Sequence, residues 1–114
     1  MLLPPAPAPH TLTPLPPTGG IGTFFAGHEW ADGQCGTYLH EPNATAYAST
    51  YLAMIANIEG YKAAGLSYCV YTQTTDVERE CDGMVNMDRT PKFSADEIAA
   101  IRAANLNLTA TQKQ

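Results

Sequence analysis

The sequence predicts an α/β fold built from strand–helix units, and three observations carry that expectation. Residues 43–64 place Tyr47, Tyr51, Leu52, Ile55, Ile58 and the stem of Lys62 on one face at the 3.6-residue period of a helix. Gly65 follows at once as a left-handed stop. Leu66 to Tyr71, LSYCVY, is then a short apolar, aromatic and β-branched run that reads as a buried strand. Helix, glycine and buried strand in that order make the αβ half of a parallel βαβ unit.

Taken from the start, the chain changes composition near residue 18. Seven of the nine prolines fall between Pro4 and Pro17. Proline removes a backbone donor and fixes φ, so residues 1–18 are expected to be a disordered or polyproline-II leader. Pro4 to Pro7 and Pro14 to Pro17 have Pro-x-x-Pro spacing without an accompanying basic residue, which fits a spacer better than a polyproline ligand. Gly19 to Ala26, GGIGTFFA, suits a short strand or turn, with a long loop running on to Glu41. Asn43, preceded by Pro42, is the expected N-cap of the first helix. A second helix begins after Ser94, because Ser94-Ala95-Asp96-Glu97 is a capping box and Phe93 and Ile98 occupy the staple positions around it. Ile98, Ile101 and Leu106 give this helix a weaker apolar face, which fades into a polar tail at 107–114.

Size and charge set the bounds. A chain of 114 residues is one domain at most. A net charge of −5 with only six Lys and Arg leaves no basic face for a nucleic-acid backbone. Cys35, Cys69 and Cys81 have neither C-x-x-C spacing nor an even count, which reads as free thiols in a reducing compartment. No apolar run approaches the ~20 residues that span a bilayer. The first residues lack the basic and uninterrupted apolar regions of a secretory signal, so a cytoplasmic location is the default expectation. No internal repeat is present.

Residues 65–89, GLSYCVYTQTTDVERECDGMVNMDR, are the most informative stretch. At the carboxyl end of the expected strand stand Thr72, Gln73, Thr74 and Asp76, all able to hydrogen-bond a polyhydroxylated ligand. Gly65, Ser67, Val70 to Glu78, Glu80 and Gly83 fit a run of the form G-[LV]-S-x-x-V-Y-T-Q-T-T-D-V-E-x-E-x-x-G-[LM], and Asp88-Arg89 fits its usual end. The stretch resembles the last barrel strand of glycoside hydrolase family 2, the β-galactosidase and β-glucuronidase group. Gly27-His28-Glu29-Trp30 is likewise similar to the G-H-x-W of the loop after the family's seventh strand. The resemblance covers about residues 19–104. It implies a partial (β/α)8 TIM barrel, the last one to two strand–helix units of a fold that needs about 250 residues when complete. It also implies that the intact relative hydrolyses β-O-glycosidic bonds with retention and without a cofactor.

A retaining glycosidase uses two carboxyl groups about 5–5.5 Å apart. The resemblance places the nucleophile in a G-E-[FY]-G-G-[IL]-G context, and here that context is Pro16-Pro17-Thr18-Gly19-Gly20-Ile21-Gly22. Pro17 therefore stands where the nucleophilic Glu is expected, and the acid/base Glu belongs to a strand that this chain lacks. No catalytic residue is assigned, and the chain alone is expected to be inactive.

The candidate substrate-binding residues are Gln73, Thr74, Trp30 and His28. Trp30, the sole tryptophan, either offers its face to a sugar or packs as a buried loop anchor. Asp76 and Glu78 either serve the ligand or brace the loop. Glu78-x-Glu80-x-Asp82-Gly83 echoes a calcium loop, but Arg89 occupies the twelfth position where a bidentate Glu is required. The spacing of His28, Cys35 and His40 matches no common zinc site. No metal ligand is assigned. Asn43-Ala44-Thr45 and Asn107-Leu108-Thr109 are glycosylation sequons that matter only after secretory entry. The expected partner is a carbohydrate, with self-association through unpaired strand edges and no nucleic-acid or membrane contact. The alternative reading is a non-catalytic carbohydrate- or partner-binding module.

Overall fold

A computed structural model describes residues 18–31 and 33–110. The proline-rich stretch 1–17, including Pro17, and the tail residues 111–114 lie outside the described residues. The elements in chain order are β1 (Ile21–Gly22), β2 (Leu39–His40), α1 (Ala44–Ala63) and α2 (Ala95–Thr109). β1 and β2 pair in parallel, with Ile21 opposite Leu39 and Gly22 opposite His40.

The first helix follows its sequence signals closely. Asn43 Oδ1 accepts the Ala46 amide at 2.9 Å, satisfying one of the donors that a helix start leaves free. At the other end, Gly65 has φ +109°, its amide donates to Lys62 O, and Leu66 N donates to Tyr61 O. Those two bonds form a Schellman stop, which requires the positive φ that glycine adopts without a Cβ clash. The buried face is Tyr47, Ala48, Tyr51, Met54, Ile55 and Ile58, with Leu52 at its margin.

The capping box of α2 is also formed: Ser94 N donates to Glu97 Oε2 at 2.8 Å, and Glu97 N donates to Ser94 Oγ at 3.3 Å. Phe93 turns into the core and meets Tyr47 edge-on at 5.0 Å, while Ile98 stays exposed. The inner face of α2 is Ile101, Ala104 and Leu108, and Leu106 points to solvent. The helix continues to Thr109, into the stretch expected to be a polar tail. Tyr51 donates to Asn105 Oδ1, and Lys62 Nζ donates to Leu108 O and Ala110 O. Because partners advance together along both helices, α1 and α2 point the same way. The Lys62 ammonium thereby meets the negative end of its neighbour.

The expected partial TIM barrel is not formed. The described residues make a mixed α/β fold of two helices and one two-stranded parallel sheet. The segment Leu66–Tyr71 is outside any strand, and it is covered on one side only. Leu66, Cys69 and Tyr71 lie against the core, whereas Tyr68 and Val70 are 81% and 71% exposed. A barrel strand needs a ladder on both sides. Here the backbone beside this segment is limited, among the described residues, to Thr18–Gly20 at its end. Thr18 Oγ1 donates to Val70 O, Thr72 N donates to Thr18 O, and Gly20 N donates to Thr72 O, closing one parallel bridge at Gly19 and Thr72.

The free-thiol reading is corrected as well. Cys35 and Cys81 form a disulfide across 46 residues, with their Cα atoms 5.3 Å apart, and Cys69 is left half-buried and free. Their spacing in sequence carries no sign of this. The parallel bridge between Gly36 and Glu80, with Gly36 N donating to Arg79 O and Cys81 N to Gly36 O, aligns the two chains beside the cross-link. Among the described residues no helix is long and apolar enough to cross a membrane.

Candidate functional site

The polar residues of the 65–89 run divide into a buried group that fastens the loop and a half-exposed group that faces solvent. Lys92 is the centre of the first. Its ammonium donates to Asp76 Oδ1 at 2.8 Å, Cys81 O at 2.9 Å and Thr23 O at 3.3 Å, using all three of its donors. Asp76 Oδ1 also accepts the Gly83 amide at 2.8 Å. Both side chains are fully enclosed. Burial pushes the Asp76 carboxyl up, with Lys92 opposing, and pushes the Lys92 ammonium down, with Asp76 opposing. Of the two roles open to Asp76, the structure gives it the loop brace. Gly83 must be glycine here, since a Cβ would run into the Thr75 carbonyl carbon and the Asp76 amide.

Gln73 is held next to this group. Its Nε2 donates to Asp82 Oδ1 at 2.7 Å, and the buried Tyr47 hydroxyl reaches both Tyr71 Oη at 2.8 Å and Asp82 O at 3.3 Å. Burial, then the Tyr71 contact, pushes the Tyr47 hydroxyl well above the usual tyrosine range. Burial likewise pushes Tyr71 up to about 12. The Nε2 of Gln73 is thus engaged within the fold. Thr74 is exposed, and its carbonyl accepts the Met84 and Val85 amides at 2.9 and 3.1 Å. Glu78 lies at the exposed tip of a turn, with φ +52°.

The half-exposed group gathers around His28. His28 Nδ1 lies 2.6 Å from Asp88 Oδ2 and 3.1 Å from Thr90 Oγ1. Thr90 Oγ1 donates to Asp88 Oδ1 at 2.6 Å, Thr90 N donates to the same oxygen at 3.1 Å, and Asn86 Nδ2 donates to Thr90 Oγ1 at 3.0 Å. A tight turn presents these groups, with Arg89 N on Asn86 O and Arg89 at φ +72°. The Thr90 hydroxyl, then His28, hold the Asp88 carboxyl down at about 2. Two residues beyond His28, Trp30 is 61% exposed, so it is no buried loop anchor. Between them Glu29 Oε2 is enclosed without a hydrogen-bond partner, and its carboxyl is held below the usual range by the amides of Glu29 itself, Gly27, Gly33 and His28.

The sequence-derived candidates are therefore placed in two clusters. His28 contacts the Asp88–Thr90 turn, Trp30 lies two residues further along the same bend, and Gln73 joins Asp82 inside. Thr74 connects the two through backbone bonds to residues 84 and 85, which lead into that turn. A larger open groove of about 610 Å³ lies elsewhere, lined by Ile58, Lys62, Leu66, Tyr68, Cys69 and Leu108 among others. A smaller one of about 230 Å³ runs along Gly36, Thr37, Tyr38, Glu80 and Asp82. Among the described residues no three His, Cys, Asp or Glu side chains are grouped to hold a metal ion. Sequence reasoning missed Lys92 and Thr90, weighed Asp82 only as part of a calcium-loop echo, and took Asp88 only as the end of a matching run. A lysine between Pro91 and Phe93, three residues after Arg89, is the one local sign of the buried pair. No family model matches this chain, and no curated protein matches it.

Proposed function

We propose that this chain is a segment of a retaining β-glycosidase of the family 2 kind, supplying sugar-contacting side chains and not the catalytic carboxylates. One observation carries the reading. The two separate stretches that bear the resemblance, Gly27–Trp30 and Asp88–Arg89, meet through the His28–Asp88 contact across 60 residues of chain, and Trp30, two residues along from His28, is exposed. An exposed indole packs well on the apolar C–H face of a pyranose, and an imidazole beside it can bond a hydroxyl. Thr74 adds an exposed hydroxyl on the same loop system, and Gln73 holds Asp82 behind it.

The test uses the purified full chain. Nitrophenyl β-galactoside, β-glucuronide and β-mannoside should be hydrolysed no faster than in buffer. Titration with the corresponding methyl glycosides should change Trp30 fluorescence saturably. The paired variant Trp30→Phe should keep the wild-type far-ultraviolet circular dichroism, and in Trp30→Ala a bound fluorescent glycoside should no longer be retained. Hydrolysis above the blank would overturn the inactive reading, and a flat titration would overturn the sugar contact.

A second reading, a non-catalytic carbohydrate-binding module, draws on the continuous core from Ile21 to Ile101 and on the Cys35–Cys81 cross-link. Both favour a unit that stands alone. A cooperative melt from a monomer, together with saturable binding, would select it over the segment reading.

A further inference from the structure

The hydrogen-bond directions around His28 determine which of its two nitrogens carries the proton. Thr90 spends its only hydroxyl proton on Asp88 Oδ1, 2.6 Å away, and its remaining lone pairs face Asn86 Nδ2 and His28 Nδ1. Asp88, held at about 2, is an acceptor at any ordinary pH. Nδ1 of His28 therefore faces two acceptors, a carboxylate oxygen at 2.6 Å and a hydroxyl oxygen at 3.1 Å. Neither offers it a proton. In a neutral imidazole with its proton on Nδ1, Nε2 is left as a bare acceptor.

We propose that Asp88 and Thr90 are positioning residues that fix the tautomer of His28, so that its Nε2 accepts a hydrogen bond from a ligand hydroxyl at the Trp30 bend. The inference rests on the sugar-contact reading above and deepens it. It assigns His28 the acceptor role toward a hydroxyl donor. The arrangement couples ligand choice to a turn 60 residues away, because the ring is oriented by Asp88 and Asp88 is oriented by the Thr90 hydroxyl and amide. Groups that only accept, such as a carboxylate or a sulfate oxygen, find no partner at Nε2 while the ring is neutral. Hydroxyls do.

The test is a two-bond ¹H–¹⁵N correlation spectrum of the ¹⁵N-labelled full chain at pH 8, without sugar. Wild type should show His28 with a protonated Nδ1 and a bare Nε2, opposite to the tautomer that dominates for a free imidazole side chain in water. Asp88→Asn and, separately, Thr90→Val should shift the dominant tautomer toward Nε2–H while the signals of His40 stay in place. Two separate variants, each removing one of the oxygens that face Nδ1, keep the result readable if one of them fails to fold. A wild-type spectrum dominated by Nε2–H, or a tautomer unmoved in both variants, would overturn the proposal. Methyl β-galactoside is then added. A shift at Nε2 larger than at Nδ1 is expected, and a shift confined to Nδ1 would overturn the acceptor role. The sugar-free spectrum decides the tautomer by itself, so its failure is distinct from failure of the sugar-contact reading, which the Trp30 titration decides.

Discussion

Replacing Lys92 by methionine should be the most damaging single change of a charged residue in this chain. Methionine keeps the length of the stem but removes the ammonium, leaving the Asp76 carboxylate enclosed with the Gly83 amide alone and depriving Thr23 O and Cys81 O of their donor. Breaking a buried pair from one side costs about 3–5 kcal/mol, because the remaining charge stays desolvated. With a urea dependence of about 2 kcal/mol per molar, the unfolding midpoint should fall by roughly 2 M. The pH logic agrees with a pair that is costly to bury. The raised Asp76 value favours folding only in acid, below its unfolded value of about 3.9, and that contribution is lost as pH rises through the folded value. The lowered Lys92 value favours folding only above about 10.4 and is lost as pH falls through the folded value. At neutral pH neither shift helps, and the mutual attraction only offsets burial. The double variant Asp76→Asn, Lys92→Met should therefore recover about 2 kcal/mol relative to Lys92→Met alone. Urea unfolding followed by helix circular dichroism measures all three. A Lys92→Met midpoint within about 0.3 M of wild type, on the same slope, would refute the reasoning.

Other outcomes are expected on the same grounds. Reducing the Cys35–Cys81 bond, which closes a span of 46 residues, should lower stability by about 4 kcal/mol on the chain-entropy argument, read as the difference between urea midpoints with and without a phosphine reductant. Tyr47→Phe removes a hydroxyl bonded to Tyr71 and Asp82 but no ring packing, so a loss of about 1 kcal/mol is expected, against about 3–5 for Tyr47→Ala. The Glu97 carboxyl is held below its usual range, first by the Ser94 amide, so its capping contribution is present above about pH 4.3 and lost as pH falls through the folded value. Helix content measured from pH 5 to 2 should fall less steeply in Glu97→Gln, which keeps the capping geometry without the charge.

The helices were legible in the sequence and the sheet was not. Asn43, Gly65 and the Ser94–Glu97 box act within four or five residues of chain, so their geometry is set locally and the structure forms each of them. The run Leu66–Tyr71 has the composition of a strand, but a strand exists only through its neighbours, and composition does not supply them. Tyr68 and Val70 are exposed for that reason, and the barrel expected from the resemblance does not close. The site behaves similarly. Trp30, His28, Gln73 and Thr74 were singled out by residue type and resemblance. Their partners Asp88, Thr90 and Asp82 lie 60, 62 and 9 residues from the side chains they hold, and no periodicity links them. The disulfide was missed because pairing depends on where two loops meet, which Cys35 and Cys81 do not announce by spacing.

The enclosure of Lys92 also removes an amine from the surface chemistry of the protein. Its Nζ has no exposed area and three carbonyl or carboxylate neighbours, so acylating reagents in solvent cannot reach it while the loop is closed. Lys62, tied to the end of α2 but only half-buried, remains within reach. Under slow labelling the ratio of the two modified lysines becomes a clock: Lys62 records time in solvent, and Lys92 records how often the body of the molecule opens.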